Sequence, residues 1–306
     1  MLSAAQHEAV TSEAAWPLQI LAGPGSGKTR VLTSRVAHLV RDSAAPIAPE
    51  RCVVVTFTNR AANEMRARLE TMIGADRTRR LVLGTFHAVC VRFLRRWGTR
   101  LGLDPRFTIA DTDDARRLLR DVDRDAPVDA TLAAISRAKA HGWTPDELRA
   151  SAQHAPGSPA HTEHLALCRT YAAYQQQLRT SHALDFDDLL LLGMRLFREH
   201  PELTTHIDHV LVDEFQDTNA VQYELLRRLS RHVSVVGDPD QSIYSWRHAD
   251  VRHIERMHLD FPGLHRVLLE ENYRSTPQIL EAALRVMQQD PHRIPKGLYT
   301  ALASGP

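Results

Sequence analysis

The sequence predicts an α/β fold: a parallel sheet interrupted by a large, mostly helical insertion domain. Short apolar segments alternate with helical patterns, which favours parallel strands joined by helices. Strand-like segments lie before residue 88 and after residue 206, and the intervening region has the apolar spacing of helices. The chain has no internal repeat, and its 306 residues are enough for about two domains.

The first predicted strand ends in Ala-Gly-Pro-Gly-Ser-Gly-Lys-Thr at residues 22–29, and a helical pattern follows. In this order the loop's N–H groups surround phosphates, Lys28 would reach the outer phosphates, and the Thr29 hydroxyl would ligate Mg²⁺. The strict pattern has glycine where Ala22 lies, which leaves the Lys-Thr chemistry unchanged. A flexible surface loop is the alternative, but the flanking strand and helix argue against it. The predicted nucleoside triphosphate loop comprises Ala22, Gly23, Pro24, Gly25, Ser26, Gly27, Lys28 and Thr29.

Two acids follow a later strand. Asp213 would hold the water shell of Mg²⁺, and Glu214 would orient or activate the water that attacks the terminal phosphate. Such acid pairs are common by chance, so this one gains its significance from Lys28. Lys28 and Asp213 are 185 residues apart, more than a few βα units need, which is why we expect an insertion. The predicted strands are Leu18–Leu21, Arg51–Thr56, Leu81–Gly84, Val210–Val212, Val233–Val236 and Arg266–Leu269.

Composition excludes several classes of protein. The chain is 43% apolar and 25% charged, and it has no 18-residue apolar run. We therefore expect an intracellular protein with no membrane partner. Three scattered cysteines argue against a disulfide framework, and the 17 histidines lack metal-site spacing.

Positive charge is concentrated in one block. Between Arg60 and Arg106 there are eleven arginines against four acids, which suits a phosphate backbone as partner. Solvated helix faces are the alternative. Only three of the 38 cationic residues are lysine, so lysine at position 28 is more than a background choice.

Aromatic and cationic residues follow three of the strands. Because ligands gather at the carboxyl ends of parallel strands, these residues should share one edge with the glycine loop. Aromatic rings among arginines are typical of a stacking surface for single-stranded nucleic acid. Core packing is the alternative for each ring, and for Phe86 core packing and nucleic-acid stacking are equally favoured. The residues are Phe57, Phe86, Tyr244 and Trp246, with Arg60 and Arg247.

Eight blocks occur in a fixed order. They are Gln6, AGPGSGKT, VTFTNRAANEM, GTFH, LDFDDLL at 184–190, VDEFQDT at 212–218, GDPDQSIYSWR at 237–247 and LEENYRS at 269–275. With them the chain resembles the UvrD/Rep/PcrA family of superfamily 1 DNA helicases over nearly its whole length. The resemblance implies a discontinuous RecA-like P-loop domain at 1–88 and 206–268. It also implies a 1B-like helical insertion domain at 89–205 and the truncated start of a second RecA-like domain at 269–306.

The resemblance also implies site residues. Gln6 would read the adenine edge, and Arg30 and Tyr273 would sandwich the adenine ring. Gln241 and Arg274 would touch the γ-phosphate and join Lys28, Asp213 and Glu214 as catalytic residues. The path of single-stranded DNA would be lined by Phe57, Asn59, Arg60, Phe86, His87, Phe186, Tyr244, Trp246 and Arg247.

By resemblance, the function is that of an ATP- and Mg²⁺-dependent DNA helicase or translocase of 3′→5′ polarity. It would act on single strands and on single-/double-strand junctions in repair or recombination. Motifs of a second RecA-like domain do not follow LEENYRS, so we expect the ATP-binding front half, inactive in unwinding without that missing partner. Lys296-Gly297-Leu298 is interpreted as ordinary connector.

Two other functions compete with this one. The alternative is a non-catalytic, ATP-responsive module that binds single-stranded DNA. A P-loop kinase or GTPase would leave Tyr244 and Trp246 unexplained. Motif spelling favours a nuclear protein, with a bacterial cytoplasmic or nucleoid origin still open. Oligomeric state is not predicted.

Overall fold

The computed structural model describes residues 2–152, 157–230, 232–243, 249–289 and 293–303. Its main feature is a six-stranded parallel sheet of order β3-β2-β6-β7-β1-β8. A second, two-stranded parallel sheet pairs β4 with β5. The strands are β1 (Leu18–Ala22), β2 (Cys52–Thr56), β3 (Val82–Thr85), β4 (Thr108–Ile109), β5 (Ala183–Leu184), β6 (His209–Val212), β7 (Val233–Gly237) and β8 (His265–Leu269).

Helices connect the strands. The first five are α1 (Ala4–Thr11), α2 (Lys28–Ala37), α3 (Asn59–Ile73), α4 (Ala75–Arg80) and α5 (Phe86–Trp97). The next five are α6 (Thr112–Val122), α7 (Val128–Ala140), α8 (Pro145–Ala150), α9 (Pro159–Thr180) and α10 (Phe186–Glu199). The last three are α11 (Ala220–Leu229), α12 (Arg252–Asp260) and α13 (Pro277–Met287). Among the described helices, none combines the length and apolar character needed to cross a membrane.

The large sheet confirms the predicted fold class. All six predicted strands are present, with ends shifted by one residue at most. Every residue of β1, β2, β6 and β7 is buried, which matches the continuous apolar character of strands covered on both faces. β1 lies between β7 and the edge strand β8, so the glycine loop that follows it starts from a strand paired on both sides.

The chain divides into two compact units. The sheet unit consists of Met1–Val89, Glu202–Thr218 and Leu226–Pro306, and the helical unit of Cys90–Pro201 and Asn219–Leu225. Each has its own apolar core. That residues 269–306 begin a second RecA-like domain stays a prediction, as does the assignment of 89–205 to a 1B-like domain.

A buried arginine joins the helices around the glycine loop. Arg35 of α2 donates from Nε to Ser234 Oγ of β7 at 2.7 Å, and from a terminal nitrogen to three carbonyl oxygens at the end of α1. Burial lowers the pKa of Arg35 to about 10. These hydrogen bonds fix α1, which carries Gln6, against the helix that follows the loop.

Candidate functional site

The glycine loop has the geometry of a phosphate-binding loop. Gly25 and Gly27 have φ of 67° and 85°, in the left-handed region that side chains with a Cβ rarely adopt. A Cβ on Gly25 would also lie 2.7 Å from the Cβ of Arg274, so glycine is required there on two counts. Helix α2 begins at Lys28, and the N–H groups of its first turn, which cannot bond within the helix, therefore lie at the loop, where an anion binds most readily.

Lys28 lies where three strand ends meet. Its Nζ donates to Gln241 Oε1 at 3.0 Å and is 4.0 Å from Glu214 Oε2. Gln241 belongs to the short 3₁₀ helix after β7, and Glu214 follows β6. The parallel order of β6, β7 and β1 thus places these side chains together at the carboxyl edge of the sheet.

Thr29 and Asp213 form a pair of oxygen ligands suited to Mg²⁺. Thr29 Oγ1 donates to Asp213 Oδ2 at 3.4 Å, and the Glu214 N–H donates to Asp213 Oδ1 at 3.0 Å. Burial, with the nearby Glu214 carboxylate, raises the pKa of Asp213 to about 6. Within the described residues, no group of three or more His, Cys, Asp or Glu side chains could hold a metal. Mg²⁺ commonly takes only one or two protein oxygens, with phosphate and water completing its shell, so this donor set fits it.

Glu214 has a strained backbone. Its φ of 49° and ψ of 46° lie in the left-handed region, which is uncommon for a residue other than glycine. Its Oε2 accepts a hydrogen bond from Gln216 Nε2 at 2.9 Å. Non-glycine residues in this region are concentrated at active sites and ligand-binding sites. Here this conformation accompanies a carboxylate that lines the cavity beside Lys28.

Asn272, which sequence reasoning did not single out, holds Arg274 beside the glycine loop. Its Nδ2 donates to Pro24 O at 2.6 Å, and its Oδ1 accepts from the Arg274 N–H at 2.8 Å. The Tyr273 N–H donates to Gly25 O at 3.0 Å. Asparagine side chains often form hydrogen bonds with neighbouring backbone in this way. The asparagine inside LEENYRS could therefore have been predicted from the sequence to hold the backbone around it.

One cavity of about 480 Å³ brings most of the predicted nucleotide residues together, and its size is typical of small-molecule sites. Arg68 of α3 also lines it and was not predicted. The lining residues are Gly25, Ser26, Gly27, Lys28, Thr29, Arg30, Arg68, Glu214, Gln241, Tyr273 and Arg274.

Gln6 is held against the same loop. Its Nε2 donates to Ser26 O at 2.9 Å, and its Oε1 accepts from the Ser3 N–H at 3.1 Å. Gln6 lines an adjoining cavity of about 230 Å³ with Tyr273 and Tyr299. Its adenine-reading role, and the stacking role of Arg30 and Tyr273, stay predictions.

The predicted DNA-binding residues differ in exposure. In the sheet unit, Asn59 and Arg60 are exposed at the start of α3, and Phe57 is half-buried. His87 is also half-buried, and burial lowers its pKa. Phe186, in the helical unit, is 52% exposed. Tyr244, Trp246 and Arg247 lie outside the described residues.

Phe86 differs from the rest of the predicted DNA set. It is only 3% exposed, because it begins α5 directly after β3 and packs into the interior. In this structure its ring is a core residue, as the alternative interpretation had it. Its role in lining a DNA strand stays a prediction.

Lys296-Gly297-Leu298, interpreted from the sequence as ordinary connector, has no helix or strand in the structure but makes contacts that this interpretation did not include. The Lys296 side chain is fully buried and pairs with Asp238 and, at 3.0 Å, with Asp240. The Leu298 side chain lies so close to Gly23 that a Cβ on that glycine would collide with it. Contacts between residues so distant in sequence leave no local pattern, so inspection of the sequence missed them.

Known proteins are similar to this chain along nearly its whole length. Residues 2–262 match the family described as "UvrD/REP helicase N-terminal domain". The "ATP-dependent DNA helicase PcrA" of Leuconostoc citreum is 42% identical over 98% of this chain and 41% of its own length. The proteins of the same name from Staphylococcus epidermidis and Staphylococcus aureus are 40% identical, over 99% and 98% of this chain and 42% of their lengths.

The chain thus spans about two fifths of the length of these curated relatives. They are bacterial, so the predicted nuclear location has no support among them. They are named as helicases, so the non-catalytic alternative has no support among them either. The matched family agrees with the fold. The chain belongs to the UvrD/REP helicase family, and residues 2–262 are its N-terminal domain.

Proposed function

We propose that this chain supplies the ATP-binding part of an ATP-dependent DNA helicase. The observation that carries the proposal is the convergence of Lys28, Thr29, Glu214 and Gln241 on one cavity, with Asp213 bonded to Thr29. These are the groups that phosphoryl transfer to water requires: a cation for the outer phosphates, oxygen ligands for Mg²⁺ and a carboxylate for the water.

Each side chain has a definite task in this proposal. The Lys28 ammonium exchanges its bond with Gln241 for oxygens of the outer phosphates. Thr29 and Asp213 would hold Mg²⁺, which neutralises phosphate charge when bound. Glu214 orients the attacking water and accepts its proton. Arg274 stabilises charge on the γ-phosphate.

The DNA substrate is proposed from the family and from the exposed part of the predicted DNA set. Arg60 and Asn59 would contact phosphates, and the Phe186 ring would stack on a base. We further propose 3′→5′ movement, action at single-/double-strand junctions in repair or recombination, and a bacterial cytoplasmic or nucleoid location.

Calorimetric titration with ATP and Mg²⁺ tests the nucleotide site. Lys28→Ala removes a charge-assisted contact and should weaken binding by about 1.5–3 kcal/mol. Asp213→Ala should abolish the dependence of binding on Mg²⁺. Glu214→Gln should bind ATP like the wild type but lose the turnover measured by phosphate release.

Glu281→Gln is the matched control, because Glu281 is an exposed glutamate on α13 outside the cavity. It should leave both affinity and turnover unchanged. Equal ATP affinity in Lys28→Ala and wild type would refute the nucleotide site. Normal turnover in Glu214→Gln would remove that residue from the proposed mechanism.

A further inference from the structure

Residues 293–299 form an irregular segment that contacts the nucleotide loop from outside the predicted motifs. The Asn272 N–H donates to Tyr299 O at 2.7 Å, which ties the segment to the residues that hold Arg274. Leu298 packs against Gly23 at the start of the loop. The segment therefore borders the candidate site on two sides.

Lys296 is the buried centre of this segment. Its Nζ pairs with Asp238 and, at 3.0 Å, with Asp240, whose Oδ2 also accepts from Arg293 Nε at 2.9 Å. The side chains of Lys296 and Asp238 are fully buried. Burying an ion pair costs desolvation energy, so such a pair is weak evidence for stability. Its position relative to the site is more informative.

Asp238 connects Lys296 to the nucleotide site. While Oδ1 of Asp238 faces Lys296, Oδ2 accepts a hydrogen bond from Gln241 Nε2 at 2.5 Å. The other end of that amide, Oε1, accepts from Lys28 Nζ at 3.0 Å. An unbroken series of polar contacts thus leads from Lys296 to the lysine of the glycine loop.

The charge on Asp238 fixes which way the Gln241 amide points. An ionised carboxylate only accepts hydrogen bonds, so it takes the N–H end of the amide and turns the oxygen towards Lys28. An amide nitrogen has two N–H donors, and one of them serves Asp238. The second can serve a γ-phosphate oxygen, which is also purely an acceptor. Without Lys296, Asp238 would be a buried and poorly compensated charge, and it would hold the amide less well.

We infer that Lys296 is a positioning residue for Gln241. Through Asp238 it presents the Gln241 amide to the terminal phosphate, so that the site distinguishes a nucleoside triphosphate from a diphosphate. The inference rests on the proposed function, because it requires the nucleotide to lie beside Lys28.

The test compares two nucleotides in one variant. Lys296→Met removes the charge and keeps most of the side chain's length. Calorimetry with Mg²⁺ should show the preference for adenylyl imidodiphosphate over ADP falling about tenfold, because a hydrogen bond to a charged phosphate is lost. ADP affinity should stay at the wild-type value. In a Gln241→Ala background, Lys296→Met should cause no further fall.

Arg293→Met is the matched control. It removes another cation from the same segment, one bound to Asp240 rather than to Asp238. It should lower the thermal midpoint of unfolding and leave the nucleotide preference unchanged. A purely structural role would lower the thermal midpoint in both variants without changing either preference, and that result would overturn the inference.

Three further outcomes are decisive. If Lys296→Met does not fold, Lys296→Gln replaces it; this variant keeps N–H donors without the charge, so the preference should fall about threefold. An unchanged preference in it overturns the inference. If the wild-type chain prefers the triphosphate and both Lys296 variants keep that preference, the inference is refuted and the proposed function stands. A wild-type chain that binds neither nucleotide refutes the proposed function and the inference together.

Discussion

Lys28 in the sheet unit and Lys139 in the helical unit are surrounded by acceptor groups to different degrees. Lys139 is fully buried, and its Nζ lies 2.6 Å from Asp185 Oδ2 and 2.8 Å from Asp188 Oδ1. The Lys28 side chain is 11% exposed, and the ion pair it makes among the described residues, with Glu214, is 4.0 Å long. The same type of side chain is therefore tightly paired in one unit and loosely paired in the other.

The acids around Lys139 are themselves satisfied. Tyr174 donates from its hydroxyl to Asp185 Oδ2 at 3.1 Å, and Gln175 Nε2 donates to Asp188 Oδ1 at 3.1 Å. Burial alone would lower the pKa of Lys139, but attraction to Asp188 and Asp185 outweighs it and raises the pKa. The two acids also cap α10 through reciprocal backbone hydrogen bonds. Both carboxylates therefore have a cation and further donors, so the pairing of Lys139 needs no ligand.

Lys28 is in the opposite situation. Its hydrogen-bond acceptor is a neutral amide at 3.0 Å, and it borders a cavity. Loose pairing next to open space favours an anion as the missing partner, whereas complete pairing in a core indicates a structural role. The contrast distinguishes a binding lysine from a structural one more clearly than burial alone does.

Lys139→Met removes the tightly paired lysine and should have the largest effect on stability. It leaves the buried Asp188 and the largely buried Asp185 without their cation, which typically costs about 3–5 kcal/mol of unfolding free energy. Urea unfolding followed by circular dichroism measures the change. Lys28→Met is the matched control, because the same substitution in the loosely paired site should cost less than about 1 kcal/mol. Similar losses in both variants would show that the two lysines do not differ in the way proposed.

Phe186→Ala extends the comparison to the aromatic residues. Phe186 is exposed and begins α10, so removing its ring should cost about 1–3 kcal/mol of single-stranded DNA affinity with little change in stability. Fluorescence anisotropy with a labelled oligonucleotide measures the affinity. Buried Phe86 is the matched control: Phe86→Ala should instead cost about 3–5 kcal/mol of unfolding free energy. If Phe186→Ala binds DNA like the wild type, its exposed ring has another role.

The fold could be predicted because its signals are local. β1 and β2 are continuous apolar segments, and the glycine loop follows β1 directly, so their places were apparent from neighbouring residues. The two-residue strands β4 and β5 were not predicted, because pairs such as Thr108–Ile109 carry no periodicity. Tertiary pairing alone creates them.

The candidate site was predicted in part, and the missing parts are long-range. Lys28 and Asp213 could be found because each follows a recognisable strand. Asp238 is 58 residues from Lys296, and no spacing rule connects a buried lysine to an acid at that distance. Phe86 shows the converse limit, since an aromatic residue after a strand has the same local sequence whether its ring faces solvent or the core.

Arg60→Ala should have the smallest effect, and it tests whether the arginine-rich block binds phosphate. The Arg60 side chain is 90% exposed and pairs with Glu64 at 3.1 Å, a contact of the i,i+4 type that contributes about 0.3–0.5 kcal/mol. Stability should therefore change little. If Arg60 contacts one phosphate, the slope of the logarithm of single-stranded DNA affinity against that of salt concentration should fall by about 0.7. Anisotropy titrations at several salt concentrations measure the slope.

Arg285→Ala is the control, because Arg285 is 75% exposed and has the same kind of i,i+4 glutamate partner on α13. Equal slopes in the two variants would indicate that Arg60 belongs to a solvated helix face.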